Sequence, residues 1–102
     1  MIANLGLIDL LAELGFDVVV EETEPDGFLE RVGQLRPDVV VLNLDTEENS
    51  RLATRIATVY TEVKVVACST DEPRMRVFPR YHGGESYESD LSPDLLGEAI
   101  RG

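Results

Sequence analysis

The chain has 102 residues, is 43 % hydrophobic, and sets 9 Lys+Arg against 20 Asp+Glu for a formal charge of −11. That size and apolar content fit one core-forming domain and exclude wholesale disorder, and the acidic balance counts against nucleic acid as a direct partner because phosphates are repelled. No apolar run reaches the ~18 residues of a membrane helix, Met1-Ile2-Ala3-Asn4 lacks a basic signal start, and Cys68 with His82 makes neither an internal disulfide nor a zinc set.

Taken in chain order, Leu7, Ile8, Leu11 and Leu14 recur at helical spacing, with Asn4 as N-cap and Gly15 at the C′ position. Phe16 to Val20 is a short β-branched run that reads as a strand. Phe28, Leu29, Val32 and Leu35 mark a second helix, opened by Asp26 and closed before Pro37. Val39 to Leu44 is apolar on both parities, as in a strand buried on both faces of a parallel sheet. Leu52, Ile56 and Val59 give a third helical stripe, and Val63 to Cys68 a second doubly buried strand interrupted only by Lys64.

The pattern weakens after Thr70. Met75, Val77 and Phe78 fit a short helix ended by Pro79, Gly83-Gly84 forces a turn, and Ser86-Tyr87-Glu88 reads as a poor edge strand. The close is clearer: Ser92 caps a helix, Pro93 takes its first position, and Leu95, Leu96, Ala99 and Ile100 form its apolar face. Alternating strands and helices predict an α/β three-layer sandwich with right-handed crossovers, one domain over residues 1–102, either whole or the N-terminal part of a longer chain.

Charge is uneven along the chain. Residues 1–49 carry twelve acids and two bases, and residues 82–102 five acids and one base. Residues 50–81 reverse the balance, with six bases (Arg51, Arg55, Lys64, Arg74, Arg76, Arg80) against Glu62, Asp71 and Glu72. Arg74, Arg76 and Arg80 interleave with Met75, Val77, Phe78 and Tyr81, and arginines beside apolar groups are what interaction surfaces use. Cys68 reads as an inert core thiol and His82 as a turn residue.

Three segments carry a resemblance. Leu35-Arg36-Pro37-Asp38-Val39-Val40-Val41-Leu42 looks like the third strand and lead-in of the receiver domain of two-component response regulators. Val63-Lys64-Val65-Val66-Ala67-Cys68-Ser69-Thr70 looks like its fourth strand with the terminal Ser/Thr, and Leu91 to Arg101 like its last helix. The resemblance covers most of the chain and implies a doubly wound parallel sheet of flavodoxin-like plan. Its first strand is short or missing, because only Met1-Ile2-Ala3 precede the first helix. A natural start further upstream, a short strand and a strand supplied by a second chain all remain open.

A receiver needs an acidic pair for magnesium, an acceptor aspartate, a switch hydroxyl and a lysine, because a carboxylate attacks a phosphoryl group only when clustered negative charge is neutralised. The resemblance puts the acceptor position on Asn43, the acidic pair on Asn4 and Leu5, the switch hydroxyl on Ser69 and the lysine on Ser89. An amide is a very poor nucleophile and a weak magnesium ligand, so the implied protein is a pseudo-receiver without phosphotransfer, metal or cofactor. Its expected role is non-enzymatic signalling, as a homodimer or docked on a protein partner in transcriptional or two-component-type regulation in the cytoplasm. The family's partner surface implies that Arg74, Arg76, Phe78, Arg80 and Tyr81 face a partner, meeting Asp90, Asp94 and Glu98 of another molecule.

Two other readings compete. Asp45, two residues beyond Asn43 and on the same side of the strand, is an alternative phosphoacceptor, although Asp45, Glu47 and Glu48 equally suit a helix N-terminus. The runs Leu14 to Val20 and Arg36 to Val40 also look like cobalamin-binding domains, but no histidine precedes His82, so the cobalt-ligating loop of that family is absent. No glycine-rich phosphate loop, nucleophile elbow or Cys–His pair points to an enzyme.

Overall fold

A computed structural model describes residues 2–3, 12–13, 15, 19–20, 25–44, 46–69 and 72–101. The elements are β1 (Ile2–Ala3), β2 (Val19–Val20), α1 (Pro25–Leu35), β3 (Val39–Asn43), α2 (Glu47–Val59), β4 (Lys64–Cys68), β5 (Arg74–Phe78), β6 (Tyr87–Asp90) and α3 (Pro93–Arg101). They build one six-stranded sheet in the order β2-β1-β3-β4-β5-β6.

The sheet is mixed, and this corrects the expected all-parallel doubly wound, receiver-like fold. β2, β1, β3 and β4 pair in parallel, whereas β5 runs antiparallel to β4 and β6 antiparallel to β5. The reason is connection length. Only residues 69–73 join β4 to β5, and a parallel return needs a crossover of about a dozen residues or more. Residues 79–86 likewise close a hairpin, with Tyr81, Gly83 and Gly84 at positive φ to turn the chain.

Residues 74–78 are therefore a strand where the apolar positions suggested a helix. Arg74 is exposed, Met75 buried, Arg76 half-buried and Val77 buried, the period of two that a strand imposes. β6 is the edge strand, with Tyr87, Glu88 and Asp90 exposed. β1 is two residues long and lies between β2 and β3, with Ile2 opposite Val19 and Val40. Of the first predicted helix only Ala12 and Glu13 are described as helical, and Gly15, at φ +85°, donates its N–H to the Ala12 carbonyl at 3.0 Å. The rest of that helix, and residues 16–18 of the strand after it, lie outside the described residues.

Two cores sandwich the sheet. On one face Val40, Leu42, Val65, Ala67 and Phe78 pack against Phe28 and Val32 of α1 and Leu52, Ala53, Ile56 and Ala57 of α2. On the other, Val39, Val41, Val66, Cys68, Met75 and Val77 pack against Leu96 and Ile100 of α3. Each fully buried branched or aromatic side chain contributes about 1.5–3 kcal/mol of transfer free energy. Val59 and Leu35, predicted on apolar stripes, are exposed, and each is the last residue of its helix.

The helix ends follow local chemistry. Thr46 Oγ1 accepts from Asn49 N at 3.1 Å and caps α2, and Ser92 Oγ accepts from Leu95 N at 3.2 Å ahead of Pro93 in α3. α1 starts at Pro25, one residue before Asp26, and ends at Leu35; Arg36 follows with a left-handed φ of +46° that turns the chain into Pro37. Among the described residues no helix is long and apolar enough to cross a membrane.

Candidate functional site

The parallel strands define two poles, and chemistry collects at both. At the carboxyl pole Asn43 ends β3 opposite Cys68, and the Leu44 N–H donates to the Cys68 carbonyl at 2.7 Å. Ser69 follows directly, so Asn43 and Ser69, the expected acceptor position and switch hydroxyl, lie at the ends of adjacent strands. Ser69 nevertheless serves the turn into β5: its Oγ accepts from Glu72 N at 3.3 Å and its N–H donates to the Arg74 carbonyl at 2.9 Å.

Ser89 does not join them. On β6 it pairs with Met75 of β5, with β4 and β5 standing between it and Asn43, so roughly three strand spacings of ~4.8 Å separate the two positions. Its hydroxyl donates to the Asp90 carbonyl at 3.4 Å. Asp45, Asn4 and Leu5 lie outside the described residues. Among the described residues no group of three His, Cys, Asp or Glu side chains is placed to hold a metal ion.

The expected partner surface divides into two places. Arg74 stands opposite Asp90 and Arg76 opposite Glu88, so these four charged side chains share one face of the β5–β6 hairpin. Arg76 Nη2 donates to Glu88 Oε1 at 3.0 Å, while Arg74 lies 3.8 Å from both Glu88 and Glu72. Tyr81, 75 % exposed, projects from the hairpin loop. Asp94 is exposed in the first turn of α3. Phe78 is corrected from the surface to the core: at 1 % exposure it packs with Val65 and Ile56, because its parity on β5 faces α2.

Arg80 and Glu98 belong to the opposite pole, beside a residue that sequence reasoning passed over. Lys64, only 7 % exposed, opens β4 on the α3 side of the sheet. Its Nζ donates to the Ala99 carbonyl at 2.8 Å, within the last turn of α3, where carbonyls have no helical partner and the helix dipole favours a cation. Burial first, and the neighbouring Arg80 guanidinium second, pull the Lys64 amine below its ordinary value of 10.5. Arg80 Nη2 donates to the Asp38 carbonyl at 3.1 Å, which also accepts the Lys64 backbone N–H at 3.1 Å, so one oxygen ties the two cationic residues together. The signal in the sequence was a lone lysine inside an apolar run; what it lacked was the direction of β5.

Cys68 is fully buried, and burial pushes its thiol up to about 12. It is an apolar core group, not a nucleophile. Comparison of the chain with protein-family models, with curated proteins and with solved structures gave no match.

Proposed function

We propose that this chain is a non-enzymatic regulatory module of the cytoplasm that acts by pairing with a second copy of itself along the outer face and edge of the β5–β6 hairpin. The observation that carries this reading is the four-charge ladder on that face. Arg74 and Arg76 balance Glu88 and Asp90, so the hairpin is locally neutral on a chain of −11. Most of this surface would repel its copy; the hairpin would not.

Edge geometry adds to it. No described strand lies beyond β6, and an edge strand offers a row of backbone donors and acceptors that a two-fold related β6 can satisfy. The Asn43 amide and the turn-forming role of Ser69 favour association over phosphotransfer as the means of action. The acidic balance favours protein over nucleic acid as the partner.

Light scattering over a concentration series tests this. The wild type is expected to show a concentration-dependent dimer, and Arg74→Glu with Arg76→Glu, which makes the face uniformly acidic, is expected to give monomer at every concentration. A wild type that stays monomeric throughout refutes self-association. A charge-reversed variant that dimerises as well as the wild type moves the interface elsewhere.

A further inference from the structure

At the amino pole Lys64 and Arg80 line one cleft of about 410 Å³ with Val77, Pro79, Tyr87 and Glu98. The volume falls in the range of about 300–1,000 Å³ typical of small-ligand sites. One of the three Lys64 donors is used by the Ala99 carbonyl, and one guanidinium nitrogen of Arg80 by the Asp38 carbonyl; among the described residues the other donors of both groups have no further partner and can serve an occupant. Two cations against the one carboxylate of Glu98 leave about one net positive charge in a concavity of an otherwise strongly acidic chain. The remaining walls, Val77, Pro79 and the ring of Tyr87, are apolar.

We propose that this cleft binds a small organic monocarboxylate, with the carboxylate held between the Lys64 ammonium and the Arg80 guanidinium and the apolar body against Val77, Pro79 and Tyr87. A guanidinium presents parallel N–H donors that match a carboxylate, and a half-enclosed site strengthens both contacts relative to water. The occupant would also offset the repulsion between Lys64 and Arg80. Glu98 and the Ala99 carbonyl select against a dianion, which sets the preference for a carboxylate over a phosphate.

The probes are benzoate, its neutral analogue benzamide, and inorganic phosphate, each titrated into the full chain while backbone amide resonances are followed by nuclear magnetic resonance. Benzoate is expected to shift the amides of Lys64, Arg80, Tyr87 and Ala99 saturably, with benzamide about tenfold weaker or worse, since a charge-assisted contact is lost. Phosphate is expected to bind more weakly than benzoate. Arg80→Gln, a change at a half-buried site, and Lys64→Met, an apolar near-isostere, are each expected to weaken benzoate about tenfold. Absence of saturable shifts at these amides overturns the site, and so do equal affinities for benzoate and benzamide. Phosphate binding as tightly as benzoate overturns the ligand class. The amides of Lys64 and Ala99 lie off the β6 edge, so their shifts report on the cleft separately from self-association.

Discussion

Val65 stands opposite Phe78 in antiparallel register, and this pairing brings Lys64, one residue before it on β4, to the same end of the sheet as Arg80, two residues beyond Phe78. Had β5 run parallel to β4, residue 80 would lie at the carboxyl pole with Asn43 and Ser69. The direction of one strand thus decides which end of the molecule carries its paired cations, and it follows from the five residues between Cys68 and Arg74.

The buried amine of Lys64 makes stability depend on pH with a definite sign. Its folded value lies below 10.5, so between that value and 10.5 the unfolded chain binds the extra proton and raising the pH favours the folded state. The unfolding free energy of the wild type minus that of Lys64→Met is expected to rise through this alkaline window and then level off. Urea titrations of both proteins at a series of pH values measure it; a falling difference contradicts the burial of the ammonium.

Cys68 acts in the opposite direction. The unfolded thiol ionises near 9.0 and the folded one near 12, so it contributes a loss of stability as pH rises between those values. At pH 8 its reaction with a disulfide reagent should be limited by unfolding and should accelerate in parallel with added urea. Rapid stoichiometric modification of the native protein would mean that the thiol is accessible.

Tyr81 sits at φ +64° with its side chain in solvent and its N–H donated to the Thr61 carbonyl at 2.7 Å. A left-handed conformation costs an L residue roughly 1–2 kcal/mol, whereas glycine's extra freedom when unfolded costs about 0.5–1 kcal/mol. Tyr81→Gly is therefore expected to gain about 0.5 kcal/mol in urea unfolding, because no packing is lost. A loss of stability would show that the ring contributes contacts of its own.

Glu88 bridges Arg74 and Arg76 on an exposed face, so Glu88→Gln should change monomer stability by less than about 1 kcal/mol. Its larger effect should fall on association, since it unbalances the charge ladder. A stability loss above about 2 kcal/mol in urea unfolding would make the network a structural one.

The parts of the fold legible in the sequence were those fixed by local chemistry or by double burial. Val39 to Leu44 and Val63 to Cys68 read as strands because both parities are apolar, interrupted in the second only by Lys64, and β3 and β4 fall within these runs; α3 read as a helix because Ser92 and Pro93 define its start. Direction was not legible from periodicity, which is the same for a strand running either way. It follows from spacing only once residue 74 is known to open a strand, since no crossover fits between Cys68 and Arg74. Met75, Val77 and Phe78 suggested a helix because the two parities of β5 face different cores, and Phe78 joins α2 while Met75 and Val77 join α3. Lys64 was missed as a site residue because its partners, Ala99 and Arg80, are distant in sequence and meet it only through the antiparallel strand.

Intact mass with light scattering, before and after incubation with acetyl phosphate and magnesium, decides between association and phosphotransfer. An unchanged mass and a dimer that forms equally well in both samples are expected. A phosphate adduct, above all one at Asp45 accompanied by a change in oligomeric state, would contradict association without phosphotransfer and make the protein a phosphate-operated switch.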